Sequence, residues 1–201
     1  VGYYLGYILR ILAALMVPPL MIAVYLREQT ATLGFGITIG ATLAAGLLLL
    51  ICRRPTEGGI HPREGYITVA LGWILISAFG ALPFFISRYI PSYVDAFFET
   101  VSGFTTTGAT ILKDVEALPQ SLLYWRSFTH WIGGMGVLVF VLAIAPLNKG
   151  NGESLHLLRA ESPGPDVGKL TPTMRHTARL LYLIYIILPA VLIVLLGKGT
   201  K

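Results

Sequence analysis

Apolar and polar positions fall along this chain in long blocks, not at the short periods of a water-soluble fold. Tyr4 to Leu26 is apolar except for Arg10, while Gln29 to Cys52 and Ile67 to Ser87 carry no charge at all. Further apolar blocks run from about Gln120 to Ala145 and from Leu180 to Leu196. A helix needs about 20 such residues to cross a hydrocarbon layer about 30 Å thick. Eleven of the 21 residues in Ile67–Ser87 are Leu, Ile, Val or Phe. At roughly −0.3 to −0.6 kcal/mol each, they favour insertion by about 3–7 kcal/mol. The pattern predicts an all-α membrane protein with five spans. Pro18-Pro19 predicts a kink in the first, because neither residue can donate a backbone hydrogen bond. A cleaved signal peptide competes for that first block, but the run is long and no small-residue cleavage site precedes Arg27-Glu28-Gln29.

One apolar stretch is too short to cross. From Val94 to Ser102 a helix would advance roughly 13 Å, and five extended residues, Thr105 to Ala109, would climb back by roughly 16 Å. Those lengths fit a segment that dips into the membrane and leaves on the side it entered. Non-helical backbone at that depth is tolerated only where protein surrounds it or it lines a wet cavity. Ser92-Tyr93-Val94-Asp95 has the spacing of an N-terminal capping box, which places the helix start near Val94. A short helix followed by Thr105-Thr106-Thr107-Gly108 reads as one wall of an ion-selectivity filter. An ordinary turn between two spans is the alternative.

Composition agrees with the membrane class: hydrophobic residues make up 55% and charged residues 12%, with mean hydropathy +0.72. A soluble domain carries about twice that charge. The net charge of +5 matters less than its distribution, and no nucleic acid is implied. Five spans and a re-entrant loop put the amino end inside. Nine of the 15 Lys and Arg residues then fall at inner positions: Arg10, Arg53, Arg54, Arg63, Lys149, Arg159, Lys169, Arg175 and Arg179. That obeys the positive-inside rule. The outer stretch Arg88 to Pro119 holds four acids against two bases, so the filter mouth would attract cations. Cys52 is alone and can form no internal disulfide. Gly164-Pro165-Asp166-Val167-Gly168-Lys169 is one residue short of a phosphate-binding loop and has Leu170 where Ser or Thr is needed.

A bare monovalent cation needs its water replaced by oxygens of modest charge, which backbone carbonyls supply. Thr106, Thr107 and Gly108 are the expected ion-binding residues, with potassium at Thr106 and Thr107. Glycine at 108 allows backbone angles that a side chain resists. The carboxyl end of the short helix would lend its partial negative charge. Thr105 and Ala109 flank the site as support. Asp95 belongs in the solvated first helical turn. Glu99, one turn deeper, is expected behind the filter, accepting backbone N–H groups or pairing with Arg126. Arg126 and His130 share a helix face that must avoid lipid. His61, His156 and His176 show no ligand spacing, so no metal cluster, cofactor or catalytic residue is assigned. Gly133, Gly134 and Gly136 are expected to pack or bend against the filter segment. Gly36, Gly40 and Ala44 form a small-residue ridge, either for close helix packing or as plain lipid-facing surface.

These residues resemble a known family. The order of two leading spans, a third, Asp95-Ala96-Phe97-Phe98-Glu99, Thr105 to Thr110, Tyr124-Trp125-Arg126 and Trp131-Ile132-Gly133-Gly134-Met135-Gly136 is similar to the membrane subunit of Trk-type potassium uptake systems, within the Trk/Ktr/HKT superfamily. Arg159 to Pro165 and Lys169 to Pro172 look like that family's loop into its second repeat. The resemblance divides the chain into leading helices (1–60), a span–pore loop–span repeat (61–147), a cytoplasmic loop (148–176) and the first span of a second repeat (177–201). It implies a bacterial or archaeal inner-membrane protein that takes up potassium by symport or down the membrane potential. It further implies a pore of four repeats in one polypeptide, homodimeric assembly and a cytoplasmic nucleotide-binding gating subunit. Glycine at 108 resembles potassium-conducting members, whereas serine there goes with sodium. The chain begins at Val1 and holds one full repeat, so it is expected to be part of a longer polypeptide whose other repeats complete the filter. A non-conducting structural module, a sodium-conducting relative and a membrane-embedded enzyme are the other readings. The last would need converging polar residues, and only Arg126 and His130 qualify.

Overall fold

Two prolines set the first feature of the fold. The leading apolar block forms α1 (Gly2–Leu15) and α2 (Val17–Tyr25), which meet at Met16. Pro18 and Pro19 have no N–H to offer the preceding turn, so the hydrogen-bond ladder lapses where the bend was expected. Met16 keeps near-helical angles (φ −83°, ψ −8°), and its carbonyl accepts the Leu20 N–H at 3.2 Å. The interruption is one residue long. The uncharged block that follows is α3 (Gln29–Cys52), and the next is α4 (Pro62–Ile86). Gly2–Tyr25, Gln29–Ile51 and Glu64–Ile86 are long and apolar enough to cross a membrane. The short α5 (Tyr93–Phe104) and the long α6 (Gln120–Ile144) complete the order. This computed structural model describes the backbone of residues 1–52, 62–144 and 183–187, with side chains for 1–51, 64–136 and 183–187. Every regular element among the described residues is a helix.

Helices α2 and α4 each end on a left-handed arginine. Arg27 (φ 57°) and Arg88 (φ 63°) both stand in the left-handed region just past the last turn. The Arg27 N–H reaches the Val24 carbonyl at 3.2 Å, and the Glu28 N–H reaches Ala23 at 2.9 Å. At α4 the Arg88 N–H reaches Phe85 at 3.1 Å, and the Ile90 N–H reaches Phe84 at 3.3 Å. Such paired bonds satisfy carbonyls that the helix leaves open. A basic residue at that end also complements the helix dipole.

The close contact between α1 and α3 runs through Gly6 and Gly46. A Cβ on Gly6 would lie 2.8 Å from the Gly46 carbonyl oxygen, and one on Gly46 would lie 3.1 Å from that of Gly6. The Gly36–Gly40–Ala44 ridge does not make such a contact. All three residues are exposed, and nothing lies within 4 Å of a Cβ placed on Gly36 or Gly40. The face of α3 that is buried carries Ala31, Phe35, Thr38 and Thr42. Its two hydroxyls are satisfied within the helix, Thr38 donating to the Gly34 carbonyl and Thr42 to that of Thr38, each at 2.7 Å. Threonine can therefore face the packed side, which spacing of small residues alone did not indicate.

Residues 1–134 form one compact unit and residues 135–201 another. The core of the first gathers Leu9, Phe35, Phe84, Phe104, Leu122 and Trp125. In the second, residues 183–187 are helical. The rest of the expected fifth span, the expected inner loop 148–176, and Arg53, Arg54 and Glu57 lie outside the described residues.

A candidate ion-coordinating loop

The loop is built from the short helix outward. Ser92 caps α5, its hydroxyl oxygen accepting the Asp95 N–H at 3.4 Å, and Asp95 is exposed in the first turn. Twelve residues advance roughly 18 Å, well under a bilayer core. The helix then closes with a third left-handed residue, Thr106 (φ 56°). Its N–H reaches the Gly103 carbonyl at 2.9 Å, and the Thr107 N–H reaches Ser102 at 3.0 Å. This is the same paired closure as at Arg27, here with a β-branched residue where glycine is usual. The expected extended run therefore starts too early in the sequence. Thr105 (φ −82°, ψ 0°) still belongs to the helix end, and Thr106 turns the chain.

That closure decides where the carbonyls point. The N–H groups of Thr105, Thr106, Thr107 and Gly108 all turn back to carbonyls of residues 101–103. Across a trans peptide the carbonyl opposes the N–H, and none of the described bonds is cis. The carbonyls of Phe104, Thr105, Thr106 and Thr107 are thus directed away from the helix end. Phe104 is met by Gly133, leaving the three threonine carbonyls on the exposed side. The hydroxyls are ordered as well. Thr105 Oγ1 donates to the Val101 carbonyl at 2.7 Å, so Thr107 Oγ1, 2.8 Å away, is the donor between the two. Gly108 has φ 76°, with nothing within 4 Å of a Cβ, so its requirement is conformational and not steric.

Beyond Gly108 the chain returns along α5. Ser102 Oγ donates to the Ala109 carbonyl at 2.6 Å. One turn earlier, Glu99 receives Thr110 Oγ1 at 3.0 Å and the Ile111 N–H at 3.2 Å. Arg126 of α6 donates its Nε–H to the same carboxylate at 2.6 Å. The Glu99 side chain is 1% exposed and that of Arg126 17%. A buried carboxylate is tolerable only when paired and hydrogen-bonded in this manner. No buried side-chain polar atom among the described residues lacks a partner.

Helix α6 is held on three sides. Trp125 is fully buried, donates Nε1–H to the Gly80 carbonyl at 3.0 Å, and sets its ring edge-on to Phe35 and Phe104. Glu28, at the turn after α2, accepts the N–H groups of Gln120 at 2.9 Å and Ser121 at 3.3 Å, together with the Ser121 hydroxyl. A carboxylate at a helix amino end satisfies open donors and suits the dipole. Gly133 brings α6 against the end of α5, and Gly103 answers it: a Cβ there would lie 3.0 Å from Thr129 Cβ and closer to its hydroxyl. Gly80 admits Thr100 and Phe104 in the same way, at 2.9 and 3.0 Å. Gly134 and Gly136 are half-buried. His130 Nδ1 lies 3.0 Å from the Arg126 carbonyl, which can only accept, so this nitrogen is the donor.

Sequence reasoning singled out Thr105 to Ala109, Glu99, Arg126 and Gly133, and the structure brings these together. It gave no site role to Ser102, Gly103, Thr110, Gly80 or Glu28. Ser102 was within reach, since it follows Glu99 by three residues on one helix face. Glu28 was not, because its partners lie 92 and 93 positions away.

A family model for TrkH, described as a cation transport protein, matches residues 34–198. The chain is 36% identical over 183 residues to the Trk system potassium uptake protein TrkH of Halomonas elongata, covering 90% of this chain and 37% of that protein. It is 37% identical over 185 residues to the protein of that name from Escherichia coli K12, covering 91% and 38%. Against the Trk system potassium uptake protein TrkG of E. coli K12 the figures are 35% over 190 residues, covering 94% and 39%. The crystal structure of the potassium transporter TrkH from Vibrio parahaemolyticus matches with TM-score 0.70 and 31% identity, covering 92% of this chain and 36% of that one. The chain thus spans well under half the length of the relatives it matches.

Proposed function

The chain belongs to the TrkH family of cation transport proteins, and from that premise we propose that it supplies one of four carbonyl-lined strands through which the whole protein takes up potassium across the plasma membrane. Thr106, Thr107 and Gly108 bind the ion, with potassium held at Thr106 and Thr107. The Thr105 carbonyl joins them, since it shares the direction of the Thr106 and Thr107 carbonyls. The observation that carries this reading is the return of four successive N–H groups to the end of α5, which leaves a run of threonine carbonyls unclaimed. Carbonyl dipoles can replace a cation's water without binding it too tightly to leave. Held in place beforehand, they also need little rearrangement when an ion arrives.

In this reading Glu99, Arg126 and Ala109 support the strand from behind, and Gly133, Gly134 and Gly136 let α6 approach it. The remaining pore repeats come from the rest of the polypeptide. Residues 61–147 are the first repeat, preceded by the leading helices 1–60 and followed by a cytoplasmic loop, 148–176, and the first span of a second repeat, 177–201. The amino end is cytoplasmic, the assembly is a homodimer, and a cytoplasmic nucleotide-binding subunit gates it. The relatives' names as potassium uptake proteins support the choice of ion.

Growth of potassium-uptake-deficient cells on low potassium tests the proposal. Cells making the whole protein should grow and accumulate rubidium tracer. Absence of both, with the protein present in the membrane, would overturn the reading.

A further inference from the structure

Every carbonyl from Val101 to Phe104 is either bonded or covered at the end of α5, and the three after them are unclaimed among the described residues. The run does not continue indefinitely. At Ala109 a side chain intervenes: Ser102 Oγ, from a residue only 4% exposed, donates to that carbonyl at 2.6 Å. The same residue's own carbonyl accepts the N–H groups of Thr107 at 3.0 Å and Gly108 at 3.5 Å. Ser102 therefore grips the loop twice, once through its backbone and once through its hydroxyl. The two grips bracket Thr107 and Gly108.

We propose that Ser102 is a positioning residue that sets the length of the coordinating run. By drawing the Ala109 carbonyl back onto α5, its hydroxyl stops the coordinating run short of Ala109. This rests on the proposed filter role of the loop. The consequence is chemical. A carbonyl released at Ala109 is free to swing toward the ion, adding an oxygen and loosening the spacing of those before it. A mobile oxygen can close on a smaller cation where fixed oxygens spaced for a larger one cannot, so discrimination against sodium weakens. Glu99 cannot substitute, because its bonds go to Thr110 and Ile111 on the far side of Ala109. Nor does the backbone grip suffice, since it holds N–H groups and leaves the Ala109 carbonyl free to turn.

The test compares Ser102→Ala, Ser102→Thr and Ser102→Val in the whole protein, made in uptake-deficient cells and matched for amount in the membrane. Thr and Val have nearly the same shape and differ in the hydroxyl. The readout is the ratio of potassium to sodium uptake, which a general loss of stability lowers in neither direction. The expected result is a ratio reduced roughly three- to tenfold in Ala and Val, the factor one hydrogen bond carries, with Thr close to the unsubstituted protein. An unchanged ratio in Ala, or equal losses in Thr and Val, overturns the proposal. So does failure of Ser102→Ala to reach the membrane, because a positioning role predicts normal assembly. If the unsubstituted protein moves no potassium, it is the filter reading that fails.

Discussion

Gly133 of α6 rests against the carbonyl of Phe104, the last residue of α5. A Cβ built on Gly133 would stand 2.7 Å from the Phe104 carbonyl carbon and closer still to its oxygen. The contact is backbone to backbone, so no rotamer change can relieve it. It also fixes the peptide from which the outward carbonyl run begins. Packing of α6 and the direction of the Phe104 carbonyl are therefore set at one point.

Gly133→Ala should accordingly be severe. The added methyl forces α6 away from α5, at a cost of about 1–3 kcal/mol for overpacking. Uptake should fall further than the loss of stability explains, because the carbonyls move with Phe104. Gly36→Ala is the control, since a Cβ there meets nothing within 4 Å. It should leave the unfolding midpoint unchanged or raise it, an alanine being favoured over glycine in a helix by about 1 kcal/mol. Thermal unfolding of the purified protein in detergent, beside rubidium uptake, checks both.

Arg126→Met leaves the Glu99 carboxylate buried without its cation. Breaking a buried pair on one side costs about 3–5 kcal/mol. Glu99→Gln keeps an oxygen for the Ile111 N–H and should cost less. The double variant should recover part of the loss, giving a coupling of about 0.5–3 kcal/mol in a double-mutant cycle. Strictly additive losses would show that the 2.6 Å contact contributes nothing.

Thr106 and Gly108 share a positive φ, at 56° and 76°, but only one of them is glycine. A left-handed conformation costs a side-chain-bearing residue roughly 1–2 kcal/mol. Gly108→Ala should lose about that amount. Thr106→Gly should be neutral or stabilising by up to about 1 kcal/mol, the relieved strain being offset in part by the entropy of a new glycine. If Thr106→Gly is more stable yet conducts less well, the strain at 106 serves the loop's shape and not its stability. Unfolding midpoints and uptake rates, taken together, decide it.

Glu28→Ala removes the acceptor from the amino end of α6, for a loss of about 0.5–2 kcal/mol. The effect should be local. Amide exchange at Gln120 and Ser121 should quicken, while that of Ile111, held by Glu99, stays slow. Exchange measured by mass spectrometry on the purified protein resolves the two regions.

The helices and several of their starts and breaks were legible because each depends on residues a few positions apart. Uncharged blocks locate α3 and α4, Pro18-Pro19 locate the break at Met16, and Ser92 with Asp95 locates the start of α5. The same local chemistry marked Thr105 to Gly108 as unlike a span, and Gly133 as a place of close approach. A left-handed Thr106 was not legible, since its residue type argues against the conformation that the helix closure imposes. Nor was the use of Gly6 and Gly46 in place of Gly36 and Gly40. Repeats of small residues say that a helix can be approached closely, but not from which side.

Hydropathy and turn chemistry thus sufficed for an α-helical membrane chain with one short helix and a hydroxyl-rich loop. Which oxygens remain unclaimed depended on contacts made after folding: Ser102 with Ala109, Glu99 with Arg126, Gly133 with Phe104. Hydrophobicity acts on each stretch of chain by itself, whereas a carbonyl is free or engaged only according to what packs against it.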